Sequence, residues 1–229
     1  MSAFLLKWKR IAGMVAGVLS VTFTFSAFFY AKTIEGASAV GTERNFYFLV
    51  AEGGSVEVST QTIGLQGGAG YSLLYEDGVY AAYSVYFSED ESKVAQGSVE
   101  KTGEHAEIVV VTSKPLYLKT EKQKKHATTI SGAFESLYGC MQVLHGELAR
   151  LERGATQESS KRILQTLSRQ FSFLAKEYEK TIAGYKKACK NAEERLLEVT
   201  KGVVYAKDLR YILCELSVAY ANLSKNFSL

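Results

Sequence analysis

The chain has 229 residues, 22% of them charged, and 27 Lys and Arg against 24 Asp and Glu leave a net charge of +3. So small an excess, with no basic stripe interleaved with aromatics, argues against a nucleic-acid partner. The three cysteines, Cys140, Cys189 and Cys214, are odd in number and widely spaced, which argues against a disulfide framework; they read as small buried hydrophobes.

Ile11 to Tyr30 is an uninterrupted uncharged run, preceded by Lys7, Lys9 and Arg10. At about 1.5 Å per residue such a run spans the roughly 30 Å of bilayer hydrocarbon. Three cations before it and only Lys32 just after it place the N-terminus inside and the bulk outside. Residues 1–35 are therefore expected to be a cytoplasmic tail and a single-pass anchor in the cell membrane. Ala37-Ser38-Ala39 also fits a small-x-small cleavage site. The run exceeds the usual signal-peptide core of about 7–15 residues, which favours a retained anchor over a cleaved leader. Both readings put the rest of the chain outside the cytoplasm.

Residues 44–118 are rich in Tyr, Val and Gly and predict a small α+β domain. Phe46 to Val50 is a short apolar strand. Ser55 to Gly68 must cross to the next strand. Its Val58, Thr62 and Leu65 are expected to face a core, although β-branched residues and glycines make it a poor helix. Tyr71 to Tyr75 and Val79 to Phe87 flank Glu76-Asp77-Gly78, a hairpin signal because the turn needs positive φ. Ser88 followed by Glu91 is a capping box that starts a helix, expected to stop at Gly103. Ala106 to Val111 is a last strand. Helices connecting strands in this order pack on one face of a four-stranded sheet and leave the other open, and an open face with aromatics is a binding platform in several such domains.

These residues resemble a sporulation-related repeat (SPOR) domain over about residues 44–113. The likeness lies in the aromatic first strand Phe46–Val50, in Gly70-Tyr71 opening the second, and in Gly78-Val79-Tyr80 opening the third. It continues in Phe87-Ser88-Glu89-Asp90-Glu91 and in Gly103 followed by Ile108–Val111. The chain departs from the family in having Leu49 where Gln is usual, Val85-Tyr86 where Gly-Pro is usual, and Ala81 and Tyr83 where Arg is often presented. The resemblance implies a ferredoxin-like, four-stranded fold that binds peptidoglycan glycan strands stripped of their stem peptides. Carried over position by position, it implies Tyr47, Leu49, Val79, Ala81 and Tyr83 as the glycan-binding sheet face. Tyr47 and Tyr83 suit sugar stacking best.

Lys119 to His126 is a polar connector, its lysines read as a solvated linker with a weak attraction to an anionic wall or lipid surface. Residues 127–229 then predict a separate helical domain. Ile130, Phe134, Leu137, Met141, Leu144, Leu148 and Leu151 form a coiled-coil seam ending at Gly154. A long helix is expected from Gln157 to Thr200, with a seam from Leu164 to Val199 whose phase slips at Tyr178–Ile182 beside Gly184. A third helix carries Leu209, Ile212, Leu216, Ala219 and Leu223. The expected arrangement is an antiparallel helical hairpin or a three-helix bundle. Exposed apolar flanks would serve a protein partner or self-association, and Glu147, one step off the seam, is expected to face water.

No catalytic, cofactor or metal site is expected. His105, His126 and His145 are isolated, and Gly64 to Gly70 lacks the Lys-Ser/Thr of a phosphate loop. The functional expectation is a non-enzymatic, membrane-anchored extracytoplasmic protein that binds peptidoglycan glycan in division or sporulation. The alternative is an envelope scaffold whose helices recruit proteins and whose sugar binding is lost.

Overall fold

The computed structural model describes residues 39–52, 55–76 and 78–227, which form an α+β fold. The Ile11–Tyr30 run and most of the possible cleavage motif lie outside the described residues. Among those described, no helix is long and apolar enough to cross a membrane.

Strands β1 (Ala39–Val40), β2 (Arg44–Ala51), β3 (Tyr71–Tyr75), β4 (Gly78–Tyr86), β5 (Ala106–Ser113) and β6 (Leu116–Tyr117) make two antiparallel sheets. The larger has the order β3-β4-β2-β5, and the smaller pairs β1 with β6. Helices α1 (Val56–Leu65) and α2 (Glu89–Glu100) connect strands of the larger sheet. The remainder is α3 (Glu121–Lys125), α4 (Ala127–Glu152), α5 (Gln157–Glu177), α6 (Tyr185–Lys201) and α7 (Ala206–Lys225).

The expected hairpin forms, with Tyr75 paired directly to Gly78 and Glu76 at φ +49°. Gly78 opens β4, and a Cβ there would come within 2.7 Å of the Tyr80 ring. Ser88 caps α2 through its hydroxyl, which accepts from the Glu91 amide at 3.1 Å. Helix α1 departs from expectation. Val58, Thr62 and Leu65 all face solvent and Ile63 is the residue it buries. The two valines, two threonines and one glycine of this short helix leave no continuous apolar stripe to choose another face.

Period-two alternation sorts the sheet residues. Phe46, Phe48, Val50, Leu73, Ala82, Val85 and Val111 are buried on one face. That face was expected to lie under the two connecting helices, with the Tyr47 side left open. Instead α7 lies across it, with Phe46 and Tyr220 edge-on at 5.5 Å and Tyr71 against Tyr211 at 5.3 Å. One hydrophobic core runs from Val40 through the sheet and helices to Phe227. That core includes residues of both 44–118 and 127–229. Arg44 at the start of β2 adds a polar strap, donating to Glu135 of α4 at 2.7 Å with its guanidinium 3.7 Å above the Tyr138 ring.

The helices form a four-helix, up-down-up-down bundle rather than a hairpin or three-helix bundle. The expected long helix breaks at residues 178–184. Gly184 takes φ +83° as the first residue before α6, a conformation open to glycine at little cost. The chain reverses there, so α5 and α6 pack along each other. Tyr185, fully buried, pins the turn to α4 by donating to the Ala133 carbonyl at 2.7 Å. At the opposite end Gln157 bonds the backbone of Val204 in both directions, at 3.1 and 2.8 Å. Seam residues Ile130 to Leu148 are all buried, as are Leu164, Leu167, Phe171 and Leu174. With four helices and a sheet present, these seams are covered, while Val143, Phe173 and Leu197 stay exposed on the bundle surface. The three cysteines are buried and unpaired with one another.

Glu147 corrects the expectation most directly. It is 2% exposed, accepts from the Ser160 hydroxyl at 2.7 Å and from Arg150 at 2.6 Å, and so ties α4 to α5. We expect Glu147→Ala to cost about 1–3 kcal/mol, because it strands a buried hydroxyl and half of an ion pair. Leu144→Asp should cost more, because it buries a charge without a partner. Thermal melts followed by circular dichroism test both, and a Glu147→Ala variant melting with wild type would contradict the buried network.

The tyrosines at the sheet–α7 seam give a pH signature. Burial pushes the phenols of Tyr71 and Tyr220 up to about 12. The folded state thus favours the neutral phenol, and this contribution is complete below about pH 10, the unfolded value. It is lost as pH rises through the folded values near 12. Tyr71→Phe should lose less stability than wild type between pH 10 and 12 in denaturant titrations. Equal losses would show that Tyr71 is not held in that seam.

Candidate functional site

The face opposite α7 carries Tyr47, Leu49, Val79, Ala81 and Tyr83, the five residues carried over as a glycan face. It is not an open platform, because α1 and α2 lie over it. Lys93 of α2 reaches the neighbourhood of Tyr47, and Ile63 of α1 lies beside Gly68 and Tyr83. Leu49 and Ala81 are buried at 1% and 2% exposure, so neither side chain can meet a ligand broadly. Val79 is 49% exposed near the hairpin, apart from the others. Tyr47 and Tyr83 are half-buried. The single-chain helices that were expected to leave this surface free instead roof it.

The roof is incomplete. A cleft of about 470 Å³ opens between the end of α1, the sheet and α2, within the usual size range of ligand pockets. Leu49 and Tyr83 line it, whereas Tyr47, Val79 and Ala81 do not. Its polar lining comes chiefly from Gln66, Ser84, Tyr86, Ser98, Thr102 and Glu104. A bulge sets this composition. Leu49 pairs with Ser84 but Val50 pairs with Ala82, so Tyr83 is an extra residue. The slip moves Ser84 onto the cleft side, where strict alternation from Ala82 would have sent it to the core.

Arg210 closes one wall from α7. It donates to the Gly67 carbonyl and, at 2.6 Å, to Glu152, so its charge is already answered. The glycine-rich 64–70 segment thus serves as a strap joining α1 to α7. Burial raises the Tyr86 pKa, against the smaller opposing pull of Arg210 and Ser84. Burial also raises that of Tyr83, with Glu104 adding to the effect. Both phenols stay neutral at physiological pH and donate or accept as hydroxyls.

Ser84 is 2% exposed and its hydroxyl meets no hydrogen-bond partner at good geometry, although it lies close enough to the Tyr86 hydroxyl to influence it. The arrangement offers neutral hydrogen-bonding groups, two phenol rings and one carboxylate. It places no histidine or cysteine beside Ser84, and among the described residues no His, Cys, Asp and Glu group is arranged to hold a metal ion. A small, neutral, polyhydroxylated ligand matches this chemistry.

Sequence reasoning missed Ser84, Tyr86 and Arg210. Ser84 depends on the bulge and Arg210 arrives from a helix more than a hundred residues away, and neither leaves a local signal. Tyr86 was visible as a departure from the family's Gly-Pro. A second, more open groove of about 680 Å³ lies between α1, α6 and α7, lined in part by Leu65, Arg195, Val199, Lys207 and Tyr211. Comparison with family models, curated proteins and solved structures returned no match for the chain.

Removing an orphan hydroxyl from a buried site costs little, since no bond is lost. Ser84→Ala should leave the melting temperature unchanged or raise stability by up to about 1 kcal/mol. A clear loss in a denaturant titration would mean that the hydroxyl has a partner in the unliganded protein.

Proposed function

We propose that this chain is a membrane-anchored, extracytoplasmic protein of the cell envelope that binds peptidoglycan glycan strands without catalysing a reaction. Cell division or sporulation, where stem peptides are trimmed away, is the setting the reading fits. The membrane is reached through Ile11–Tyr30, and the SPOR-like, ferredoxin-like sheet domain carries the site. The observation that supports the reading best is the α1–α2 cleft, where the buried Ser84 hydroxyl meets no partner at good geometry, only the neighbouring Tyr86 hydroxyl, amid a row of neutral hydrogen-bonding side chains. Glycan chemistry asks for that mixture: a phenol face for the sugar ring and uncharged donors and acceptors for its hydroxyls. The site is thus moved from the flat sheet face to the cleft above it, with Tyr83 retained and Tyr86 and Ser84 added.

A second reading is favoured by the α7 packing. With one sheet face under α7 and the other under α1 and α2, a long glycan strand has no flat surface to lie along. In that reading the body is an envelope scaffold that binds proteins, and Leu65, Val203 and Tyr205, exposed at 88%, 54% and 54%, are the first residues to test.

Retention of the full chain on purified, amidase-treated glycan separates the two. The glycan reading predicts retention, weakened about tenfold by Tyr83→Ala and strongly by Ser84→Val, which fills the cleft floor. Wild type washing through the glycan, with Tyr83→Ala indistinguishable from it, would leave the scaffold reading.

A further inference from the structure

The end of the bundle where the chain arrives from the membrane is basic. Four observations place this end. β1 begins at Ala39 and pairs with β6, so the tether is fixed there. The Tyr117 amide donates to the Phe227 carbonyl at 2.9 Å, bringing the end of α7 to the same ribbon. A Cβ on Gly184 would lie 3.4 Å from Leu223, so the α5–α6 turn is beside the end of α7. Tyr185 bonds Ala133, which adds the start of α4.

Six lysines at this end form no ion pair within 4 Å among the described residues, although Lys180 lies near Glu179. Lys119 precedes α3, Lys122 and Lys125 lie in it, Lys180 lies in the α5–α6 turn, Lys187 in the first turn of α6, and Lys225 closes α7; all are exposed. Lys124 and Lys186 are also here, but Glu121 at 2.9 Å and Glu179 at 2.5 Å answer them. Glu43 and Glu177 are the opposing carboxylates without such a partner. The surface is therefore clearly positive, although the whole chain carries only +3.

The distance to the membrane is short. Residues 31–38 separate the apolar run from β1, and eight residues extend at most about 28 Å. Charges act over a Debye length of roughly 8–10 Å, and so short a tether lets the body approach close enough to bring these lysines into the field of anionic headgroups. Lysine clusters immediately beside a membrane span attract acidic lipids in this way.

We propose that this end of the bundle is a docking surface for anionic phospholipid headgroups, which seats the body on its own membrane. The inference rests on the anchor reading of Ile11–Tyr30. Docking fixes an orientation. The α4–α5 and α6–α7 connections, at the far end of the bundle, then point away from the bilayer.

The test uses the full chain in lipid nanodiscs, labelled at Thr128→Cys, an exposed position at the start of α4; the native cysteines are buried. Energy transfer from the label to a headgroup acceptor reports docking. Transfer should be higher in phosphatidylglycerol-containing discs than in pure phosphatidylcholine, and about 0.5 M salt should abolish the difference. Lys119, Lys122 and Lys125 changed together to Gln should also abolish it. The same change at Lys161, Lys201 and Lys207, at the far end, should not. Equal transfer in both lipids, or a triple Lys119/Lys122/Lys125 variant that behaves as wild type, overturns docking. A response to soluble polyphosphate in phosphatidylcholine discs, with none to phosphatidylglycerol, also overturns it and assigns the surface to an anionic polymer. Alkaline carbonate extraction is the separate control. A chain stripped by carbonate refutes the anchor and the docking with it, whereas a resistant chain without lipid-dependent transfer refutes docking alone.

Discussion

Helix α7 is packed on two sides, and the rest of the molecule is arranged around that. One side completes the four-helix bundle through Leu209, Ile212, Leu216 and Leu223. The other closes the sheet, with Tyr211 on Tyr71 and Tyr220 on Phe46. Tyr220 also meets Phe134 of α4 at 5.2 Å, so a single ring bridges sheet and bundle. A four-stranded sheet with two short helices buries too little apolar surface to be well supported alone, because small domains bury a smaller fraction of their surface. α1 and α2 illustrate this, since each buries one residue, Ile63 and Ser92.

This constraint shapes the candidate site. With α7 taking the apolar face, the weakly packed α1 and α2 are left with the polar one, and weak packing is what leaves the cleft between them. Arg210 then links the cleft wall to α7 through Gly67 and to α4 through Glu152. Occupancy of the cleft and the packing of α7 therefore share a residue. A ligand there would be read by the same helix that holds the two halves together.

Much of the fold was legible in the sequence, for identifiable reasons. The four strands of the larger sheet and their order along the chain followed from aromatic and β-branched alternation, from the Glu76-Asp77-Gly78 turn and from the Ser88 cap. The bundle seams followed from three-four spacing. Three features were not legible. The reversal at 178–184 was visible only as a phase slip, because a seam that continues after the slip looks the same in a bent helix and in two helices. The union of the halves was hidden in α7, whose second buried stripe is Leu213, Cys214, Ser217, Tyr220 and Ala221. Small and polar residues there mask an apolar face, although a helix apolar nearly all round is one that is buried all round. Glu147 misled because a carboxylate beside a seam normally faces water. Its burial depends on Ser160 and Arg150, and only the antiparallel pairing brings Ser160 to it. The candidate site fared worst. Tyr83, named from the sequence, lines the cleft, but the bulge that turns Ser84 inward and the arrival of Arg210 are tertiary events.

The central claim is that sheet and bundle form one cooperative unit through α7. Hydrogen exchange of the full chain carrying Phe48→Ala tests it most directly. Phe48 is fully buried in β2 on the α7 side, and such a truncation typically costs about 3–5 kcal/mol. If the halves share one core, protection should fall together, by roughly 100-fold or more, in β2 and in the remote α5–α6 hairpin. If β2 loses protection while residues 157–201 exchange as in wild type, the halves are separate domains and the account of α7 is wrong.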